Sequence, residues 1–151
     1  MGFVFERLKE GDIDASLKVV TATLGSQAKE YAESATLRRM ILGEQIMTLV
    51  AKKEERIVGL VNAHLLGIPK IMFLTVADEK SAKEGLADLL IEKIVEGIKS
   101  ALPAAKRILH NEFADNFSAV GLYSVKGFRV TGYVKDPVTN RDVLFMEKTI
   151  Q

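Results

Sequence analysis

IMFLTVADEKSAKEGLADLLIEKIVEGIKS, residues 71–100, joins an apolar strand to a long amphipathic helix across a short polar stretch, and the rest of the chain is organised around that junction. Residues 71–76 are apolar or β-branched on both faces, which predicts a central strand covered from both sides. Leu86, Leu89, Leu90, Ile94 and Ile98 then recur at helical spacing, with Glu92, Lys93, Glu96 and Lys99 on the remaining face. Between strand and helix, residues 78–84 read as a loop, followed by Gly85 and Ala87 at the first turn. Both have almost no side chain, so an anion can approach the open N–H groups that start a helix, where the dipole also favours negative charge. The pattern predicts a phosphate as guest.

On the N-terminal side, residues 3–8 alternate apolar and polar and predict a strand with Phe3 and Phe5 inward. A helix follows, capped by Asp12 or Asp14 and carrying Ile13, Leu17, Val20 and Leu24 up to Gly25. A second helical piece, 26–43, includes Tyr31, Leu37, Met40 and Ile41, with Arg38 and Arg39 on a solvated face. Residues 47–51 and 57–66 predict a hairpin around the charged turn 52–56. His64 has no second metal-type residue at useful spacing, so no metal is expected. On the C-terminal side, Pro103 stops the long helix and 107–113 is the next strand. Asp115 or Asn116 caps a short helix ending at Gly127, and strands 128–134 and 142–148 close the chain. The order β-α-α-β-β-β-α-β-α-β-β predicts a mixed α/β (α+β) domain with a mostly antiparallel central sheet and helices on both faces.

With 151 residues the expectation is one domain, 1–151, with a substantial core. The net charge of +1 supplies no basic field for nucleic acid. There is no cysteine, hence no disulfide or thiolate chemistry, and no apolar run of membrane-spanning length, so a cytoplasmic protein without membrane partners is expected.

Three patterns, with the order of elements, resemble the GNAT superfamily of acyl-CoA-dependent N-acetyltransferases over essentially the whole chain. Lys53-Glu54-Glu55-Arg56-Ile57-Val58-Gly59 is similar to the family's charged hairpin. Ala82-Lys83-Glu84-Gly85-Leu86-Ala87 is similar to R/Q-x-x-G-x-G/A, keeping the small residues but placing Ala82 where Arg or Gln is usual. Asn116-x-x-Ala119-x-x-Leu122-Tyr123-x-x-x-Gly127-Phe128 matches the family's N-x-x-A-x-x-L-Y-x-x-x-G-F helix throughout. Packing and capping explain Leu122, Gly127 and Phe128; they explain Tyr123 poorly, because a buried tyrosine needs a partner for its hydroxyl and Phe would pack as well.

The resemblance implies acetyl-CoA as cosubstrate and direct transfer of an acetyl group to an amine. Strands 71–76 and 107–113 would diverge, and the pantetheine arm would pair with the backbone at Leu74, Thr75 and Val76. Amides from Lys83 through Glu84, Gly85 and Leu86 to Ala87 would cradle the pyrophosphate, with Lys80 or Lys83 adding positive charge. Lys53 would lie away from this site. Asn116, with Ala119 and Tyr123, would contact the cofactor, unless Asn116 serves as helix cap. A backbone N–H near Val76 would stabilise the developing oxyanion, and Tyr123 would protonate the departing thiolate. Some relatives carry a glutamate base at the position of Asn111; here its neighbours His110 and Glu112, on the opposite face of a regular strand, are the titratable groups, each base or bystander, with a water relay as the alternative. The acceptor would be a small-molecule amine or a protein N-terminus or lysine, and a homodimer is compatible with the pattern. A non-catalytic CoA or acyl-CoA sensor of the same fold is the alternative function.

Overall fold

The structure, a computed structural model, describes residues 2–24, 39 and 41–151. Strands β1 (Val4–Arg7), β2 (Ile46–Lys53), β3 (Arg56–His64), β4 (Lys70–Val76), β5 (Arg107–Phe113), β6 (Arg129–Lys135) and β7 (Asp142–Thr149) form one sheet in the order β1-β2-β3-β4-β5-β7-β6. Every neighbouring pair is antiparallel except β4 and β5. Helix α1 (Ile13–Leu24) follows a 3-10 turn at Glu10–Asp12. Helices α2 (Glu79–Lys83) and α3 (Leu86–Ala101) follow β4, and α4 (Phe117–Val125) follows β5. The helical piece expected over 26–43 lies almost entirely outside the described residues, although Ile41 is buried.

Two apolar layers hold the sheet. On one face Val20 of α1 and Ile41 pack with Val50, Ile57 and Leu60. On the other, α3 buries Leu86, Leu90, Ile91, Ile94, Val95 and Ile98 against β2, β3 and β4. The buried stripe is therefore wider than predicted: Ile91 and Val95 are inside, while Leu89 is only half-buried. Each fully buried aliphatic side chain contributes about 1.5–3 kcal/mol, against about 0.2–0.5 kcal/mol for a surface pair such as Lys93–Glu96, so burial anchors the helix. Gly59 on β3 is required by this closeness: a Cβ there would stand 2.9 Å from both Leu86 Cδ2 and the Thr75 carbonyl.

The feature that positions the site is a branch in the sheet. The parallel pairing of β4 with β5 consists of Lys70 with Leu109 and Ile71 with His110. On its other edge β4 pairs Ala63 with Ile71 but Asn62 with Phe73, which leaves Met72 as a bulged residue at the same level. A bulge bends its strand. Beyond it β4 stays with β3 while β5 runs on with β7 in unbroken register, and the two central strands part.

Candidate active site

The parting leaves a cavity of about 760 Å³, lined on one side by Met72, Phe73, Leu74 and Thr75 and on the other by β5, the start of α4, Arg141 and Val143. Because side chains alternate along each strand, the walls belong to both faces of the sheet. Thr75 lies opposite Leu60, a member of the α1-side core. His110 pairs with Met146, which belongs to the α3-side core, and stacks on Tyr123 of α4, whose C-terminal end is tied to α3 by Lys126, 2.6 Å from both Asp88 and Glu92. Strand β5 carries no bulge, so His110 and Glu112 share one face and Asn111 takes the other, as regular alternation predicts.

Tyr123 is 2% exposed, stacked on His110 at 3.8 Å and set edge-on against Phe128 at 5.2 Å. Its hydroxyl is sealed from solvent and has no hydrogen-bond partner. Burial, helped by the nearby Glu112 carboxylate, pushes the phenol well above its ordinary value and keeps it protonated. An unsatisfied buried hydroxyl costs about 1–3 kcal/mol, a burden a core position would avoid with Phe. The second orphan on the cavity wall is the Thr75 hydroxyl.

His110 is held at both ring nitrogens. Nδ1 lies 3.0 Å from the Ile71 carbonyl and Nε2 lies 3.1 Å from Glu112 Oε1. A carbonyl can only accept, so Nδ1 carries a hydrogen. The second contact sets Nε2 against the carboxylate, so both ring nitrogens are engaged. Glu112 Oε2 accepts from the Phe113 N–H at 3.2 Å and from Asn116 Nδ2 at 3.3 Å. His110 thus has no nitrogen free for a substrate amine, whereas the carboxylate retains lone pairs. Asn116 stands at the N-cap position of α4, but its side chain makes no capping bond and turns to Glu112 instead. Ala119 and Leu122 complete that wall.

The expected phosphate loop is different from the prediction. Residues 79–83 form the single helical turn α2, capped by Asp78, which accepts from the Ser81 N–H at 2.7 Å. The Glu84 N–H donates to the Lys80 carbonyl at 3.0 Å and the Gly85 N–H to the Ala82 carbonyl at 3.1 Å. These two amides are consumed inside the chain, so an anion is left the first turn of α3 at Leu86 and Ala87. Leu86 itself points into the core. Gly85 has φ +82°, so the turn between α2 and α3 requires glycine, and a Cβ there would meet nothing within 4 Å. Lys83 pairs with Glu79 at 2.8 Å on the surface, and Lys80 is exposed nearby. Lys53 is not remote: its Nζ lies 2.7 Å from Glu84 and holds that carboxyl below the usual range.

Two further residues lacked a sequence signal, Arg141 at the opening and Asn62 beneath it. Arg141 grips Asp115 with Nε at 3.1 Å and Nη2 at 2.6 Å, and its guanidinium lies 3.7 Å from the Phe113 ring centre. The turn before β7 aims Arg141, with Asp136 accepting from the N–H groups of Val138 and Thr139. Asn62, fully buried, accepts from the Phe73 N–H at 3.0 Å beside the bulge. No metal-type cluster occurs among the described residues.

Residues 14–147 match the acetyltransferase (GNAT) domain, and this chain belongs to that family. Among solved structures it is similar to a chimeric spermidine N-acetyltransferase from Vibrio cholerae, with TM-score 0.80, 17% identity and coverage of 99% of this chain and 96% of that one. A ribosomal-protein alanine N-acetyltransferase from Escherichia coli superposes with TM-score 0.78 at 15% identity, covering 99% and 95%. PaiA N-acetyltransferase from Thermoplasma acidophilum, in complex with coenzyme A, gives TM-score 0.77 at 16% identity over 99% and 100%. No curated protein sequence matches the chain. At these identities the structures establish the fold.

Proposed function

We propose that the chain works as one domain, residues 1–151, that transfers an acetyl group from acetyl-CoA to an amine. The observation that carries this reading is the Tyr123 hydroxyl, buried, protonated and without a partner on the wall of the branch. The cavity suits the cofactor in chemical terms. The edge of β4 from Met72 to Val76, released from β5, offers peptide groups to an amide-bearing arm, and the first turn of α3 offers N–H groups to a phosphate. Leu74, Thr75 and Val76, then Leu86 and Ala87, with Asn116 and Ala119 opposite, would hold it. Bound there, acetyl-CoA supplies the acetyl group as an activated thioester.

The chain's own residues then divide the proton work. Glu112 takes a proton from the incoming ammonium, which has no lone pair until it is deprotonated. His110, bound at both nitrogens, orients Glu112. Tyr123 delivers the proton on Oη to the departing thiolate, and the second proton shed by the acylated nitrogen restores the phenol. Acceptors of either class, small-molecule amine or protein amine, fit an opening that carries Glu112, Asp115 and Arg141.

The loop end of the site favours a second reading, a CoA-binding sensor without turnover, because Glu79 and Glu84 stand where phosphates would lie. One experiment addresses both. Acetyl-CoA at one hundred times its dissociation constant should stabilise the fold by about 2.7 kcal/mol, and a broad amine panel should reveal CoA release. Tight binding with no accepted amine would favour the sensor; no thermal shift and no heat of binding would overturn both.

A further inference from the structure

The branch itself is held by two side chains, Asn62, which the proton chemistry does not use, and His110, which that chemistry uses only to orient Glu112. Met72 is the bulged residue, and the peptide groups on either side of it are each bound by a buried side chain. The carbonyl of Ile71, before it, accepts from His110 Nδ1 at 3.0 Å. The N–H of Phe73, after it, donates to Asn62 Oδ1 at 3.0 Å. Asn62 is 0% exposed and His110 is 4% exposed, so neither bond competes with water. The two bonds come from opposite neighbours, Asn62 on β3 and His110 on β5, at the level where pairing between β4 and β5 stops.

We infer that Asn62 and His110 are positioning residues that set the opening of the cleft by gripping β4 on both sides of Met72. Strand pairing is the default for exposed edges, and a regular β4 would continue along β5 and close the gap. The bulge prevents this only while its displaced peptide groups have other partners, because a buried peptide group without one is strongly disfavoured. Asn62 supplies the acceptor for Phe73. His110 fixes Ile71, and Glu112 fixes His110 in turn through its contact with Nε2 at 3.1 Å. The same bracket sets the Tyr123 ring, which lies flat on the imidazole at an interplanar angle of 17°. The inference rests on the proposed reading in one respect: the cleft it shapes is taken to bind acetyl-CoA.

The test uses three full-length variants. Asn62→Leu keeps the volume but removes the acceptor, and Asn62→Asp keeps an acceptor oxygen. His110→Phe keeps the stack on Tyr123 but removes the donor. Displacing a binding edge by about an ångström costs on the order of 10²-fold in turnover, and acetyl-CoA affinity, measured by titration calorimetry, should fall about tenfold in Asn62→Leu and His110→Phe. Asn62→Asp should recover most of the loss. Val20→Ala, in the α1-side core away from the cleft, controls for lost stability and should bind acetyl-CoA normally. Folded Asn62→Leu and His110→Phe proteins with wild-type affinity would overturn the inference, as would an equal loss in Val20→Ala. If the wild type binds no acetyl-CoA, the functional reading fails on its own. Amide exchange then decides: the Phe73 N–H should exchange slowly in the wild type and at least tenfold faster in Asn62→Leu, and equal rates would refute the bracket.

Discussion

The two ends of the cleft are built differently. At the branch, β5 and α4 bring His110, Glu112, Asn116 and Tyr123 into one connected group, buried at His110 and Tyr123 and open to solvent at Asn116. At the loop after β4, the chain folds into the turn α2, uses two amides internally and presents Glu79 and Glu84 to solvent. The first region is preorganised for chemistry. The second would hold an anion only modestly under the proposed reading, with one helix start to offer and with Glu84 neutralised by Lys53 at 2.7 Å. Under the proposed reading, most of the affinity for acetyl-CoA would come from the cleft between the strands rather than from its phosphates.

The sharpest way to break that contrast is Tyr123→Phe. Turnover of an accepted amine should fall roughly 10²- to 10⁴-fold, while acetyl-CoA affinity hardly changes and the fold gains about 1–3 kcal/mol, since the deleted hydroxyl is buried without a partner. Wild-type turnover, under conditions where chemistry limits the rate, would remove Tyr123 from the mechanism.

Next in size is Gly85. Gly85→Val forces a β-branched residue to φ +82°, a strain of about 1–2 kcal/mol, and crowds the helix start, so acetyl-CoA binding should weaken about tenfold. Gly85→Asn tolerates the left-handed backbone and separates the two effects: a loss confined to Val would show strain, and a loss in both would show crowding at the phosphate.

Tyr123 also predicts an alkaline signature. Its folded-state ionisation lies above the ordinary value of 10.0. The protonated phenol is therefore fully compatible with folding below that pH, and stability is lost as pH rises above it, at up to about 1.4 kcal/mol per pH unit. Chemical denaturation of wild type and Tyr123→Phe should run parallel up to pH 10 and diverge above it, with the Phe variant the more stable. Parallel behaviour to higher pH would mean that the hydroxyl is not sealed.

The smallest expected effects concern the loop. Glu84→Gln should improve acetyl-CoA affinity about two- to threefold, and Lys53→Ala, which releases the Glu84 carboxylate, should weaken it by a similar factor, both shrinking in high salt as exposed charges do. Unchanged affinity in both, measured at low ionic strength, would move the phosphates away from α3.

The sequence by itself determined the order of the seven strands, the strand at Arg107–Phe113 to the residue, the long helix and the Asn116-to-Phe128 motif with its tyrosine. These rest on period, caps and turn residues, which act between near neighbours in the chain. The faces of β5 were legible too, because alternation is a property of the strand alone. What the tertiary structure decided involves partners distant in sequence. His110 reaches a carbonyl 39 residues away, Lys53 a carboxylate 31 away, Arg141 one 26 away, and Asn62 an amide 11 away across the β3–β4 hairpin. No local pattern marks such pairs: they meet only because the sheet sets β4 between β3 and β5 and parts it from β5 after Ile71. The conversion of residues 79–83 from loop to helix has the same origin as every cap, an Asp78 side chain meeting a free N–H, but in a polar segment that signal competes equally well with a turn.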